Sequence, residues 1–301
     1  MVLAFKVKAQ QTPQYSQYKS NYFLINPAVA GTKQKIDFRM NSRMQWQGFE
    51  SAPFTSTASF HTRFYKDLFG LGAHVIQDEI GPFKSTIVGG SAAFHLIFPD
   101  VELSLGGSGI FSFSTIDASK ITVQNPNDEL LNLVSSKSTV ENNVNVGIFL
   151  YNDRFSFGLS ALQFLEKETE LFDLEDGGVI KSKPHLNMLV GYNYSWSDDL
   201  IYENSIFASY VFSSPMVFDY TVKVHMMQRA IAGLSYRLKD AFVLHAGFYL
   251  GSHLQLTYSY DVLVNKTRKV SGGSHELMFV FSHNITHAKN RFLNERYQKI
   301  L

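Results

Sequence analysis

Apolar and polar residues alternate with a period of two along almost the whole chain, and the helical period is nearly absent. Such alternation predicts β-strands with one apolar face. Over 101–115, Val101, Leu103, Leu105, Phe111 and Phe113 oppose Glu102, Ser104, Gly106, Ser108, Ser112 and Ser114. Over 54–64, Phe54, Ala58, Phe60 and Phe64 oppose Thr55, Thr57, Ser59, His61 and Arg63. Over 140–150, Val140, Val144, Val146, Ile148 and Leu150 oppose Glu141, Asn143, Asn145 and Gly147. Over 216–226, Met216, Phe218, Tyr220, Val222, Val224 and Met226 oppose Asp219, Thr221, Lys223 and His225.

The same reading predicts about fourteen strands: 34–44, 53–64, 70–78, 83–97, 101–115, 140–151, 154–166, 184–195, 199–212, 216–226, 229–238, 241–250, 253–264 and 274–284. Most are far longer than the ~5–6 residues usual in soluble proteins. Tilted strands of that length suit a bilayer-spanning barrel. The polar face is rich in Gly, Ser, Asn and Thr rather than Lys and Glu, which fits a crowded, wet lumen better than open solvent. The expected fold is therefore all-β: one transmembrane antiparallel β-barrel of outer-membrane type. Loop lengths test the count. An even-stranded barrel has both strand termini periplasmic and its longer loops outside. The longest predicted connections, 116–139, 167–183 and 265–273, are the fifth, seventh and thirteenth, all odd. Even connections such as Pro99-Asp100 and Asn152-Asp153 are short. Tyr192, Tyr194, Trp196, Tyr202, Tyr210, Phe212, Tyr249, Tyr258 and Tyr260 fall near strand ends, as interfacial girdles do.

Composition sharpens this picture. The chain has 301 residues, 45% hydrophobic and 18% charged, with 26 Phe, 15 Tyr and 2 Trp. The charged share is below the ~25% of ordinary soluble domains. No apolar run is long enough for a transmembrane helix, which leaves a barrel open. A formal charge of +1 argues against a nucleic-acid partner. The absence of cysteine excludes disulfides, thiolate metal sites and a thiol nucleophile. There is no His-Glu-x-x-His spacing, nucleophile elbow or phosphate loop, and no cofactor is expected. His283 and His287 fall at the end of the last strand, and Asp173, Glu175 and Asp176 lack the spacing of a calcium loop.

Residues 1–9 read as the remnant of a signal peptide, with Val7-Lys8-Ala9 fitting a cleavage site, or else as a frayed terminus. Residues 10–33 are a polar segment entering the first strand from the periplasm, either plugging the lumen or docking a periplasmic partner. Residues 34–284 form the barrel. Residues 285–301 are a periplasmic basic tail, where Lys289, Arg291, Arg296 and Lys299 face one acid, Glu295. That tail either docks an acidic periplasmic protein or is simply solvated.

Several stretches are more specific than the alternation around them. They are Gln14-Tyr15-Ser16-Gln17-Tyr18, Asn26-Pro27-Ala28-Val29-Ala30-Gly31, Arg43-Met44-Gln45-Trp46 with Pro53-Phe54-Thr55, and Gly70-Leu71-Gly72 leading into Gln77–Pro82. Late in the chain come Tyr258-Ser259-Tyr260-Asp261 and Gly273-Ser274-His275-Glu276. In this order, over about 14–282, they resemble the PorP/SprF family of outer-membrane proteins, associated with type IX secretion and gliding in Bacteroidetes. The resemblance implies a non-enzymatic barrel in outer-membrane lipid. Its partners would be type IX components (periplasmic ring or peptidoglycan-linked proteins), or a large secreted surface protein that it helps export or hold.

Strand parity puts Asp37, Arg39, Arg43, Asp78, Asp261 and Glu276 on the lumen side, and closure pairs the last strand with the first. The motifs holding Arg43, Gln45, Trp46, Asp78, Gly81, Pro82, Tyr258, Tyr260, Asp261, Gly273, His275 and Glu276 then converge at the extracellular mouth, with Arg43 placed to pair with Glu276 or Asp261. Two readings stand: a recognition surface for a secreted partner, or a structural rim with turns set by Gly-Pro and Gly-Ser. For the whole protein, a porin or hydrophobic-solute channel is the alternative. An outer-membrane hydrolase would need a Ser/His/acid set that the sequence does not display.

Overall fold

The computed structural model describes residues 12–32, 35–64, 67–117, 120, 137–170, 179–197, 199–212 and 214–284. The expected signal remnant 1–9, the acidic triplet Asp173, Glu175 and Asp176, and the basic tail with Lys289, Arg291, Arg296 and Lys299 lie outside them.

Among the described residues the alternating segments become fourteen barrel strands, and two further short strands form a hairpin of their own. β1 (Lys35–Met44), β2 (Phe54–Phe64), β3 (Phe69–Ile80), β4 (Phe83–Ile97), β5 (Glu102–Ile116), β6 (Lys137–Tyr151) and β7 (Phe155–Leu162) form the first half. β10 (His185–Ser197), β11 (Leu200–Val211), β12 (Val217–Met226), β13 (Ala230–Arg237), β14 (Ala241–Leu250), β15 (Leu254–Leu263) and β16 (Ser274–Asn284) form the second. These fourteen close into one antiparallel barrel, each next to its sequence neighbour, with β16 paired to β1. Closure is what lipid demands, since an open edge would leave peptide groups unpaired.

The predicted strands match to within a few residues, apart from one place. The seventh stops at Leu162 rather than 166, because the chain turns at Gln163, a non-glycine residue with φ 53°. Beyond it a separate hairpin of β8 (Lys167–Glu170) and β9 (Val179–Ser182) occupies the connection that the sequence left without structure. Its short strands alternate too little for the period to show.

Adjacent strands run in opposite directions, so the barrel has two distinct ends. The upper end carries the connections after β1, β3, β5, β7, β11, β13 and β15. The lower end carries the short turns, the start of β1 and the end of β16.

Parity holds across the sheet. Val75, Val88 and Phe111 pair in register and face outward, while Ser91, Ser104, Ser108, Asn143 and Asn145 face the buried lumen. Tyr192, Tyr194, Trp196 and Tyr210 are exposed on the outer surface toward strand ends, Tyr258 is exposed in the middle of β15, and Phe212 is exposed just past the end of β11. Tyr249 departs from that girdle. It turns inward and bonds His225 Nδ1 at 2.7 Å, as its parity on β14 with buried Val243 and His245 requires.

Val88 lies near the middle of the lipid-facing band. Val88→Arg should lower folding stability by about 2–4 kcal/mol, the cost of a midplane cation on a barrel's lipid face. Urea titration in liposomes, followed by tryptophan fluorescence, measures it.

Candidate functional site

The lumen is occupied by the chain's own N-terminal segment. Thr12 Oγ1 lies 3.0 Å from His185 Nδ1, at the upper start of β10. From there the segment runs down through the barrel, and Gly31 N donates to His61 Nδ1 near the lower end. The segment thus threads the lumen from the end opposite Asn284. It enters β1 at the lower end, and of the two courses the sequence left open it takes the one inside the lumen rather than one docked beneath the barrel. The physical reason is closure itself: a barrel with a polar, walled interior offers this segment far more burial inside than beneath.

The segment is built for that route. Tyr18–Leu24 form a 3-10 stretch with a kink at Asn21, and Pro27–Val29 form a second 3-10 turn. Asn26 caps that turn through its side chain onto Ala28 N at 2.9 Å, and Pro27 supplies the fixed φ that suits a first helical position. The Asn26 amide also donates to Ile148 O at 3.0 Å on β6. Ser104 donates to Ala28 O at 2.6 Å and Ser160 to Ile25 O at 2.5 Å. Irregular backbone at membrane depth needs partners of this kind. Apolar contacts fill the remaining space: Tyr18 stacks on Phe207, Tyr22 meets Phe149 edge-on and Phe23 lies against His61 and His74. The wall is glycine where the segment comes closest. A Cβ on Gly106 would strike the Ala28 backbone, and one on Gly70 would strike Ala30.

The upper end of the segment is fixed by charge. Arg43 donates to Glu276 Oε2 at 3.0 Å and to Asp261 Oδ2 at 2.8 Å. Arg237 donates to the same Asp261 oxygen at 3.1 Å, and its Nε stands 3.2 Å from Asp219. Ser16 sits among them. Its hydroxyl donates to Asp261 at 2.7 Å and accepts from Arg43 at 2.9 Å and Arg237 at 3.0 Å. Its backbone N–H donates to Glu276 Oε2 at 2.7 Å. Gln17 adds a backbone bond to Glu276 and a short side-chain bond with Thr257. Arg43, Arg237, Asp219, Asp261 and Glu276 are all buried. Buried charges persist only when paired and hydrogen-bonded, and here five strands and the inner segment each supply part of that pairing. Lower down, Lys223 donates to Ser20 at 2.9 Å, and Glu203 faces His225 at 3.3 Å.

The predicted mouth residues do not form one site. Arg43, Asp261 and Glu276 meet in the lumen. Tyr258, Tyr260 and His275 have the opposite parity and stand on the outer surface. Tyr258 bonds His275 Nδ1 at 2.6 Å, His275 Nε2 lies 2.6 Å from Gln47, and Tyr260 donates to Gly272 O at 2.6 Å. Asp78 accepts from Thr55 at 2.5 Å on another side of the lumen. Gly81 (φ 58°) and Pro82 make the β3–β4 turn, and Gly273 (φ 102°) leads into β16. Gln45 reaches Gln14 O at 3.4 Å, and Trp46 is exposed on the rim. Of the N-terminal residues, Gln14 is half-buried, while Tyr15, Gln17, Tyr18, Asn26, Pro27 and Gly31 are buried inside. The sequence reading missed Arg237 and Ser16. Parity alone would have placed Arg237 inward with Ser235, whereas nothing local marks Ser16.

Comparison with known proteins agrees with this architecture. The sequence model of one family, "Type IX secretion system membrane protein PorP/SprF", matches residues 7–281. No curated protein matches. Among solved structures, the Ralstonia pickettii toluene transporter TbuX is 10% identical with a TM-score of 0.54, covering 87% of this chain and 93% of its own. The CymD monoaromatic hydrocarbon channel is 11% identical with a TM-score of 0.52, covering 91% and 94%. A Pseudomonas aeruginosa FadL homologue is 12% identical with a TM-score of 0.50, covering 91% and 95%. At these identities the likeness is one of fold.

Arg43→Ala would strand Asp261 and Glu276 with fewer counter-charges in a buried site. The expected loss of stability is about 3–5 kcal/mol. Thermal unfolding, read by heat-modifiable gel migration, checks it.

Proposed function

The chain belongs to the PorP/SprF family of type IX secretion system membrane proteins, and from that premise we propose that it is a plugged, non-enzymatic outer-membrane scaffold. In this role it docks components of the secretion machinery or holds a large secreted protein at the surface. The observation that carries the reading is the filled lumen. Residues 16–31 are almost entirely buried and bonded around the barrel wall. A barrel whose interior is taken by its own chain offers partners its two ends and its outer rim, not a conduit. Steady solute passage, the alternative, would require this segment to leave, breaking the Ser16 contacts to buried Asp261, Glu276, Arg43 and Arg237.

The upper end is the extracellular one in this proposal, since odd connections carry the longer loops of such barrels. The exposed cluster of Trp46, Tyr258, Tyr260 and His275 then lies at the outer interface, and the lower turns face the periplasm. The basic tail would also be periplasmic.

Two outcomes are expected. Crosslinking in actively secreting cells, followed by capture of the barrel, should recover secretion-ring proteins or a large surface protein; recovering neither contradicts the role. Because the chain has no cysteine, single substitutions report orientation cleanly. Phe49→Cys, in the connection after β1, should react with an impermeant maleimide on intact cells, and Asn152→Cys, in the β6–β7 turn, only after permeabilisation. The reverse pattern contradicts the orientation.

A further inference from the structure

The inner segment does not fill the lumen evenly. Beside it, a cavity of about 260 Å³ descends from the upper end. Its floor is the segment itself, through Tyr18, Leu24 and Ile25. One wall is apolar where the strand pattern elsewhere puts Ser and Asn: Ile76, Ile87 and Ile110, on three adjacent strands, all face inward and are buried. Facing them across the cavity stand Phe207, Val211 and Val217. Three lumen-facing isoleucines side by side have no role in sealing the barrel to lipid, and they stand apart from the charged cluster that fixes Ser16.

Polar side chains share the lining with these apolar walls, and two of them carry an atom without a partner among the described residues. Tyr15 and His185 line it, 8% and 5% exposed, and Tyr15 Oη and His185 Nε2 have no hydrogen-bond partner among the described residues. Thr12 Oγ1 and His185 Nδ1 lie 3.0 Å apart; in the tautomer where the hydroxyl donates, His185 Nε2 carries the ring proton and can donate in turn. Lys183 also lines the cavity, its ammonium 5.1 Å from the Phe212 ring centre. No carboxylate lines the cavity among the described residues. An apolar pocket with a few convergent polar groups is the usual form of a small-molecule site, and its volume sits just under the ~300–1,000 Å³ of drug-sized ligands.

We propose that this blind cup binds a small amphipathic anion, a medium-chain monocarboxylate, with its chain along Ile76, Ile87 and Ile110 and its head group at Lys183 and His185. Burying the chain removes apolar surface from water, and the head group accepts hydrogen bonds that Tyr15 and His185 otherwise leave unmade. Because the inner segment closes the floor, the site retains its ligand rather than passing it on. This assignment does not depend on the secretion role.

The test is calorimetric titration of the full chain in lipid nanodiscs, against empty nanodiscs, with decanoate and with decyltrimethylammonium, which has the same chain and the opposite head charge. The expected result is saturable decanoate binding, with the cation weaker by about tenfold or more, the size of one lost charged contact. Ile110→Trp, which fills the cup, and Val217→Trp, which narrows its mouth, should each weaken decanoate by about tenfold or more, by denying the chain its apolar surface. Heat-modifiable migration verifies folding, and if Ile110→Trp misfolds, Val217→Trp decides. No saturable binding, equal affinity for both probes, or undiminished binding in the folded variants would each overturn the proposal.

Discussion

A strand in lipid has no water to satisfy its peptide groups, and that constraint organises the molecule. It requires the fourteen strands to close, with β16 pairing back onto β1. Closure sends every second side chain into a walled interior. That interior must then be hydrated or filled. Here it is filled from within by residues 12–31, and most of the chain's distinctive residues are explained by that filling rather than by the barrel.

The glycines and serines of the inner face illustrate the point. Gly70 and Gly106 admit the Ala28–Gly31 backbone, while Ser104 and Ser160 satisfy its carbonyls. The charges do similar work at the upper end. Arg43, Asp261 and Glu276 would be a costly group to bury alone. Ser16, Gln17, Asn41 and Arg237 complete their hydrogen bonding, so that barrel closure and segment placement share one network. The network joins residues more than two hundred positions apart in sequence. It ties the first described turn of the chain to the last two strands.

Much of the fold was legible because a period of two is a strong signal over ten residues. Strand limits, the odd-numbered long connections and the lumen side of Arg43, Asp261 and Glu276 all followed from it. Parity also contained a fact that the motif grouping overlooked: Tyr258, Tyr260 and His275 alternate with Asp261 and Glu276, and so cannot share their side of the wall. The course of the inner segment was not legible. A kinked 3-10 path has no period, and its partners are spread over nearly every strand, so no local pattern announces it. Ile76, Ile87 and Ile110 were hidden for a related reason, since an apolar residue on the polar face looks like noise until its neighbours across strands are known.

A filled barrel in a secretion family points to docking rather than conduction, and the seal is the quantity on which this view depends. The most direct measurement is the ion conductance of the full-length protein in planar lipid bilayers. The account predicts a closed barrel, with no steady current above the bare bilayer after insertion is verified. Long-lived stepwise openings of the native chain at low voltage would contradict it, because they would show that residues 12–31 do not hold the lumen.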